Sequence, residues 1–403
     1  MLDVAAVLEA RQRVSGVARE TPVDYSHTFS ERTGAEVHLK LENLQRTGAF
    51  KIRGATNKIA VLDDDQRAAG VVTASAGNHA QGVALAATGA GVDSKIVMPE
   101  YAPVSKVEAT RGYGAEVVLY GSDYEAAQRK AHEIETDEGR TYVHAFDDEA
   151  VMAGQGTIGL EIVEQCPDVE TVVVPIGGGG LIAGVATAVK AQRPAARVVG
   201  VQAEGASSVA ESLREGEVVE REAVDTIADG IATRKVGERT FDVIRERVDE
   251  VVTVTDDEIA MAVVDLLERS KTLVEGAGGV ALAALLEDTF DYEEGEVVVP
   301  ALCGGNIDLN VLTTVIMRGL VEDGRYMKIR TVLKDRPGAL EKLIEVIAAA
   351  RANIYAIQHD RTSRDIAMNA AEVELDLETR GHDHVAELID ALETHGYEVE
   401  ILV

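Results

Sequence analysis

The run Val172-Val173-Val174-Pro175-Ile176-Gly177-Gly178-Gly179-Gly180-Leu181 takes a short apolar strand into four glycines and then into a helix. Glycine reaches backbone conformations that other residues avoid. Four in succession leave several amide N–H groups free at a helix N-terminus, where the dipole favours an anion. The stretch reads as a phosphate cradle at the carboxyl end of a strand. It lacks the Lys-Ser/Thr ending of a nucleotide P-loop, and a dinucleotide fingerprint spaces its glycines differently. A monophosphate ester therefore fits better than a triphosphate. The plain alternative is a tight turn.

The same rhythm of strand and helix extends on both sides. Upstream, strands are expected at Gly70 to Ala74, Lys95 to Met98, Glu116 to Tyr120 and Tyr142 to Ala145, with helices at His79 to Thr88, Val104 to Arg111 and Ser122 to Glu138, the last capped by Ser122. A helix from about Glu149 to Gln165 leads into the second set. Its strands are Thr171 to Pro175, Arg197 to Gln202, Glu250 to Thr253 and Glu296 to Ala301, with helices at about 181 to 192, 206 to 214, 256 to 270 and 277 to 287. Short apolar strands alternating with helices imply parallel sheets covered on both faces. The fold class expected is α/β, with two doubly wound lobes and a ligand crevice at the strand carboxyl ends. At the N-terminus, residues 3 to 19 read as an amphipathic helix, and Glu36 to Leu41 alternates like a strand.

After Glu322-Asp323-Gly324 the pattern changes to Tyr326 to Val332 (strand), Pro337 to Ala350 (helix opened by its proline), Ile354 to His359 and Ile366 to Leu377 (strands), Asp383 to Thr394 (helix) and Glu398 to Val403 (strand). That βαββαβ order is ferredoxin-like, and about 78 residues suffice for a separate domain.

Three further stretches carry chemistry. In Thr47-Gly48-Ala49-Phe50-Lys51-Ile52-Arg53-Gly54-Ala55 one lysine stands between an aromatic ring and an apolar residue, flanked by small residues. Apolar positions 52, 55, 59 and 62 keep helical spacing, so Lys51 opens a helix. It is either a snorkelling surface lysine or a shielded lysine of the kind that forms a Schiff base. Ser75-Ala76-Gly77-Asn78-His79 follows one strand and opens another helix, which suits an anionic oxygen or a simple cap. Cys303-Gly304-Gly305-Asn306 follows the last strand of the second lobe, where Cys303 is either reactive or a small buried residue.

Composition narrows the class. The chain has 403 residues, 46% of them hydrophobic, enough for two or three domains with real cores. No apolar run reaches the length of a membrane span, and the N-terminus carries no charged-then-apolar signal segment, so a soluble, cytoplasmic protein is expected. The two cysteines, Cys166 and Cys303, read as free thiols in a reducing compartment. A net charge of -31 argues against nucleic acid or an anionic membrane as partner. Arginine supplies most of the 39 basic side chains, and acid is spread along the chain, as expected of a solvated surface suited to a high-salt cytosol.

A lysine, a monophosphate cradle and small polar residues at strand carboxyl ends converge on pyridoxal phosphate. These motifs, in this order across essentially the whole chain, resemble the threonine dehydratase family of fold-type-II pyridoxal-phosphate enzymes, in the form with a C-terminal ACT domain. The resemblance implies a tryptophan-synthase-β-like architecture: residues 1–47 and 149–322 as the large cofactor-binding lobe, 48–148 as the small lobe and 325–403 as the ACT regulatory domain. It implies that Lys51 holds the cofactor and moves the Cα proton, that Phe50 lies against the ring, and that Asn78 bonds the ring hydroxyl. Gly177, Gly178, Gly179, Gly180 and Leu181 would hold the phosphate, and Cys303 would face the ring nitrogen. Ser75, Ala76, Gly77, Asn78 and His79 would bind the substrate carboxylate.

The activity implied is deamination of threonine, and also of serine, with isoleucine or valine as effector at Gly338, Asn353 and Ile354, in a homodimer or homotetramer. Two positions depart from the serine racemases of the family. Ala76 replaces a serine base, and Gln202 and Ser208 stand where a divalent cation would be held, so neither racemisation nor that metal is expected. A serine-preferring dehydratase or racemase and an inactive amino-acid-binding regulator are the competing readings.

Overall fold

A computed structural model describes residues 2–362 and 367–403, which divide into two compact units, Met1–Val311 and Leu312–Val403. The first unit holds two sheets. Strands Val23–Tyr25 (β1), Glu36–Lys40 (β2), Thr171–Pro175 (β7), Arg197–Ala203 (β8), Glu250–Val254 (β9) and Val297–Pro300 (β10) form a six-stranded sheet in the order β1-β2-β10-β7-β8-β9. Only β1 runs antiparallel to its neighbour. Strands Val71–Ala74 (β3), Ser94–Met98 (β4), Glu116–Leu119 (β5) and Thr141–Tyr142 (β6) form a parallel sheet in the order β5-β4-β3-β6. β7 is buried at every position, as a central strand covered on both faces must be. The two α/β sheets with helical crossovers match the doubly wound expectation.

Local departures have local causes. The first helix spans Val4–Val14 and not residues 3 to 19, because the chain turns at Gly16 with φ of 81°. The helix expected to be capped by Ser122 is Tyr124–Glu138, capped by Asp123, whose carboxylate accepts from Ala126 N. The helix Glu238–Arg247 escaped the pattern because it is mostly charged and buries only the stripe Thr240, Phe241, Val243 and Ile244. His27–Thr33 and Asp64–Ala69 are too short to show periodicity.

The first unit holds a buried ion network. Arg53, 1% exposed, donates to Glu42 Oε2 and Oε1 at 2.8 and 2.7 Å and to Glu161 Oε1 and Oε2 at 2.5 and 2.8 Å. Lys40 Nζ donates to Glu161 Oε2 at 2.6 Å, and Thr21 Oγ1 donates to Glu42. Two cations thus meet two carboxylates from a strand, a turn and two helices, two residues beyond Lys51.

The second unit is an antiparallel sheet of Tyr326–Lys334 (β11), Asn353–Asp360 (β12), Ala370–Glu378 (β13) and Val399–Ile401 (β14), ordered β12-β13-β11-β14. Strict alternation along β11 and β13 buries Met327, Ile329, Val373 and Leu375 beneath the helices Ala339–Ala349 and His382–Thr394. Pro337 lies outside the helix it was expected to open. Gly338, at φ of 79°, is the cap residue, and the helix starts only after that left-handed turn. The expected strand from Ile366 begins at Ala370; Ile366 itself lies outside the described residues.

Candidate active site

Lys51 is the first residue of the helix Lys51–Ala60, and its Nζ donates to the carbonyl of Ala145 at 2.9 Å. The amine lies 5.1 Å from the centroid of the Phe50 ring. Burial lowers its pKa to about 8, against the opposing pull of Cys303 and Glu275. A buried amine that sheds its proton near neutrality is a nucleophile and a base; a snorkelling surface lysine is neither.

The loop holding Lys51 is fastened to the end of the large sheet. Phe50 N donates to Cys303 O at 3.2 Å, Gly305 N donates to Gly48 O at 2.8 Å, and Ala49 and Gly304 form an antiparallel bridge. Cys303 is buried, its thiol donates to Ala277 O at 3.2 Å, and burial pushes its pKa up, so it is a neutral thiol.

The glycine run follows β7 as expected, and the helix starts at Gly180. None of the backbone N–H groups of Gly177 to Leu181 has a hydrogen-bond partner among the described residues. The run also packs directly on the segment that meets Lys51: a Cβ added at Gly178 would overlap the Phe146 ring, and one at Gly180 would come within 2.9 Å of Phe146 Cα. Gly178→Ala is therefore expected to cost about 1–3 kcal/mol by overpacking and to loosen any phosphate held there. Thermal melting and retention of bound phosphate after dialysis check both effects.

Asn78 opens its helix, and its side chain is held at both ends. Asn78 Nδ2 donates to Glu275 Oε1 at 2.7 Å, and Asn306 Nδ2 donates to Asn78 Oδ1 at 2.8 Å. Ser75 Oγ accepts from Gly77 N at 3.2 Å, which shapes the turn. Ala76 presents only a methyl group. The His79 ring is buried against Val143 O at 2.9 Å, and burial beside Lys51 pushes its pKa down to about 3. Its imidazole is neutral and structural, leaving the amide at the helix start to face an anion.

Sequence reading missed Glu275, Asn306 and the segment Ala145–Phe146. Glu275 is one acid among 70, and only burial against Asn78 distinguishes it. Asn306 stood inside the Cys303 motif but carried no signal of its own. Gln202 is fully engaged: its Nε2 donates to Ala206 O at 3.0 Å and its Oε1 accepts from Val209 N and Ala210 N. In the second unit, Gly338 caps the start of the 11-residue helix Ala339–Ala349, and Asn353 and Ile354 open the strand that follows it.

A shielded nucleophilic amine, a row of unpartnered amides at a helix start, a carboxamide and a neutral thiol suit pyridoxal phosphate in reactivity and charge. A family model described as pyridoxal-phosphate dependent enzyme matches residues 14–304, and an ACT-domain model matches residues 325–395. The chain is 50% identical over 402 residues to the L-threonine ammonia-lyase of Geobacter sulfurreducens, covering 100% of both. The solved structure of the processed form of threonine deaminase isoform 2 from Solanum lycopersicum is similar at a TM-score of 0.76 and 41% identity, over 78% of this chain and 92% of that one. Maize serine racemase reaches a TM-score of 0.75 at 37% identity, over 80% and 98%. With Lys51 shielded at the strand ends and the glycine run facing it through Phe146, the chain belongs to the fold-type-II pyridoxal-phosphate dependent enzymes and carries a C-terminal ACT domain.

Proposed function

We propose that this chain deaminates L-threonine to 2-oxobutanoate and ammonia by α,β-elimination of water, with pyridoxal phosphate as cofactor and amino-acid control through the ACT domain. The observation that carries this reading is Lys51, a buried amine with a pKa lowered to about 8 at the end of two sheets. The whole-length likeness to an L-threonine ammonia-lyase supports threonine as substrate.

When bound, pyridoxal phosphate supplies a sink for the electron pair released at Cα. Lys51 would hold the cofactor through its amine, and the same amine would take the Cα proton as a general base. Phe50 gives the cofactor ring a flat wall. The free amides of Gly177 to Leu181 would hold the phosphate, and Cys303, a thiol with no charge, would meet the ring nitrogen. The Ser75–His79 turn would orient the substrate carboxylate through its backbone amides, while the remaining Asn78 side-chain N–H would meet the ring hydroxyl. The β-hydroxyl departs as water, and the enamine left behind takes up one water to give 2-oxobutanoate and ammonia. Serine follows the same course to pyruvate. Racemisation needs a proton carrier on the opposite face, and Ala76 has no such group, which weighs against a racemase despite the likeness to maize serine racemase.

Residues 48–148 act as the small lobe against a large lobe of 1–47 and 149–322, with 325–403 regulatory. The ACT domain supports an amino-acid effector, isoleucine or valine, met by Gly338, Asn353 and Ile354 in a dimer or tetramer. Among the described residues no helix is long and apolar enough to cross a membrane, which accords with a cytoplasmic enzyme, and the charge of -31 accords with a salt-rich one. The test is initial rates on threonine and serine, with and without isoleucine, on purified yellow protein. Colourless, phosphate-free protein that leaves threonine intact sinks the proposal.

A further inference from the structure

Asn78 carries a primary amide, whose two ends have nearly the same shape but opposite hydrogen-bonding character. Which end meets a ligand is therefore decided by neighbours. At one side, Asn306 Nδ2 donates to the backbone carbonyl of Thr47 at 2.5 Å, and a carbonyl oxygen can only accept. That bond fixes Asn306, whose second N–H then points at Asn78 Oδ1 at 2.8 Å. At the other side, Glu275 Oε1 accepts from Asn78 Nδ2 at 2.7 Å. Space for the Glu275 carboxylate comes from Gly304, where any Cβ would overlap Oε1. Both neighbours demand the same orientation, and the chain of demands ends in a backbone group that cannot turn over. The Asn306 side chain has no N–H left. Asn78 has one, and among the described residues nothing takes it.

We infer that Glu275 and Asn306 are positioning residues that lock the Asn78 amide so that it offers a bound ligand an N–H donor, which selects a hydrogen-bond-accepting oxygen opposite it. This rests on the proposed binding of pyridoxal phosphate, whose ring hydroxyl, as its anion, is that acceptor. Burial pushes the Glu275 carboxyl up and the Asn78 N–H opposes this, so the contact also steadies a carboxylate beside Lys51.

The test uses the full-length protein stripped of cofactor and titrated with pyridoxal phosphate. Glu275→Gln keeps an acceptor of the same shape, and its Kd is expected within about threefold of wild type, with the same visible band at saturation. Asn306→Asp puts an acceptor against Asn78 Oδ1 and drives the amide over. Its Kd is expected to rise about ten- to hundredfold, with the visible band reduced at saturation. Asn306→Ala, which removes the donor without adding charge, should fall between them and serves if the aspartate variant does not fold. Melting temperatures recorded alongside separate stability from orientation. Asn306 variants that lose stability but keep the wild-type spectrum at saturation overturn the inference, and so does Glu275→Gln as impaired as Asn306→Asp. If wild-type protein gains no visible band at all, the cofactor reading itself fails and takes this inference with it.

Discussion

Lys51→Ala is expected to reduce threonine deamination by about 10⁴-fold or more, because in the proposed reaction one side chain supplies both the covalent anchor and the base at Cα. Bound cofactor should be lost on dialysis, while the melting temperature stays close to that of cofactor-free wild type, since among the described residues the amine's one hydrogen-bond acceptor is the Ala145 carbonyl. Lys51→Arg should be equally inactive: a guanidinium stays protonated and cannot add to an aldehyde. The same site predicts a pH dependence. With the amine lowered to about 8 by burial, capture of pyridoxal phosphate by cofactor-free protein should accelerate as pH rises through about 8 and level off above it. A midpoint near the ordinary lysine value of 10.5 would show that the amine is solvated and the site open.

Arg53→Met is expected to destabilise the first unit by about 3–5 kcal/mol, because it strands two buried carboxylates with Lys40 as their remaining cation. Glu42 and Glu161 lie 1% and 7% exposed, so water cannot replace the lost donors without opening the core. Urea denaturation should show an earlier midpoint at unchanged slope. A loss below about 1 kcal/mol would place the network with surface pairs and refute the argument. The acid limb follows with a definite sign. Burial raises the Glu42 carboxyl, but the Arg53 charge and hydrogen bonds outweigh it and hold the group below its ordinary 4.5. Its contribution is therefore complete above pH 4.5 and is lost as pH falls through the lower folded value. Without Arg53 that loss should begin at higher pH. Since Arg53 sits two residues beyond Lys51 on one helix, the variant should also lose activity.

The chemistry-bearing loops were legible because α/β folds gather ligands at strand carboxyl ends, where glycine, lysine and small polar residues break an otherwise apolar rhythm. Lys51, Asn78, Gly177–Gly180 and Cys303 each stand at such a break. Element boundaries were less so: Gly16 ends its helix and Gly338 delays another through positive φ values that composition shows only as a glycine.

What the sequence alone determined is the set of local constraints: two largely parallel α/β sheets, a ferredoxin-like C-terminal unit, a glycine run between a strand and a helix, and a lysine in apolar company. What only the tertiary structure decided is how those pieces acquire charge state and direction. Glu275 and Asn306 become informative when they meet Asn78 across separations of 197 and 228 residues. Arg53 becomes a buried clamp only when Glu42 and Glu161 close on it, and His79 becomes a neutral structural ring only against Val143. The reason is desolvation. Burial and fixed hydrogen-bond partners set a group's pKa and orientation, and both come from residues distant in sequence that only folding brings into contact.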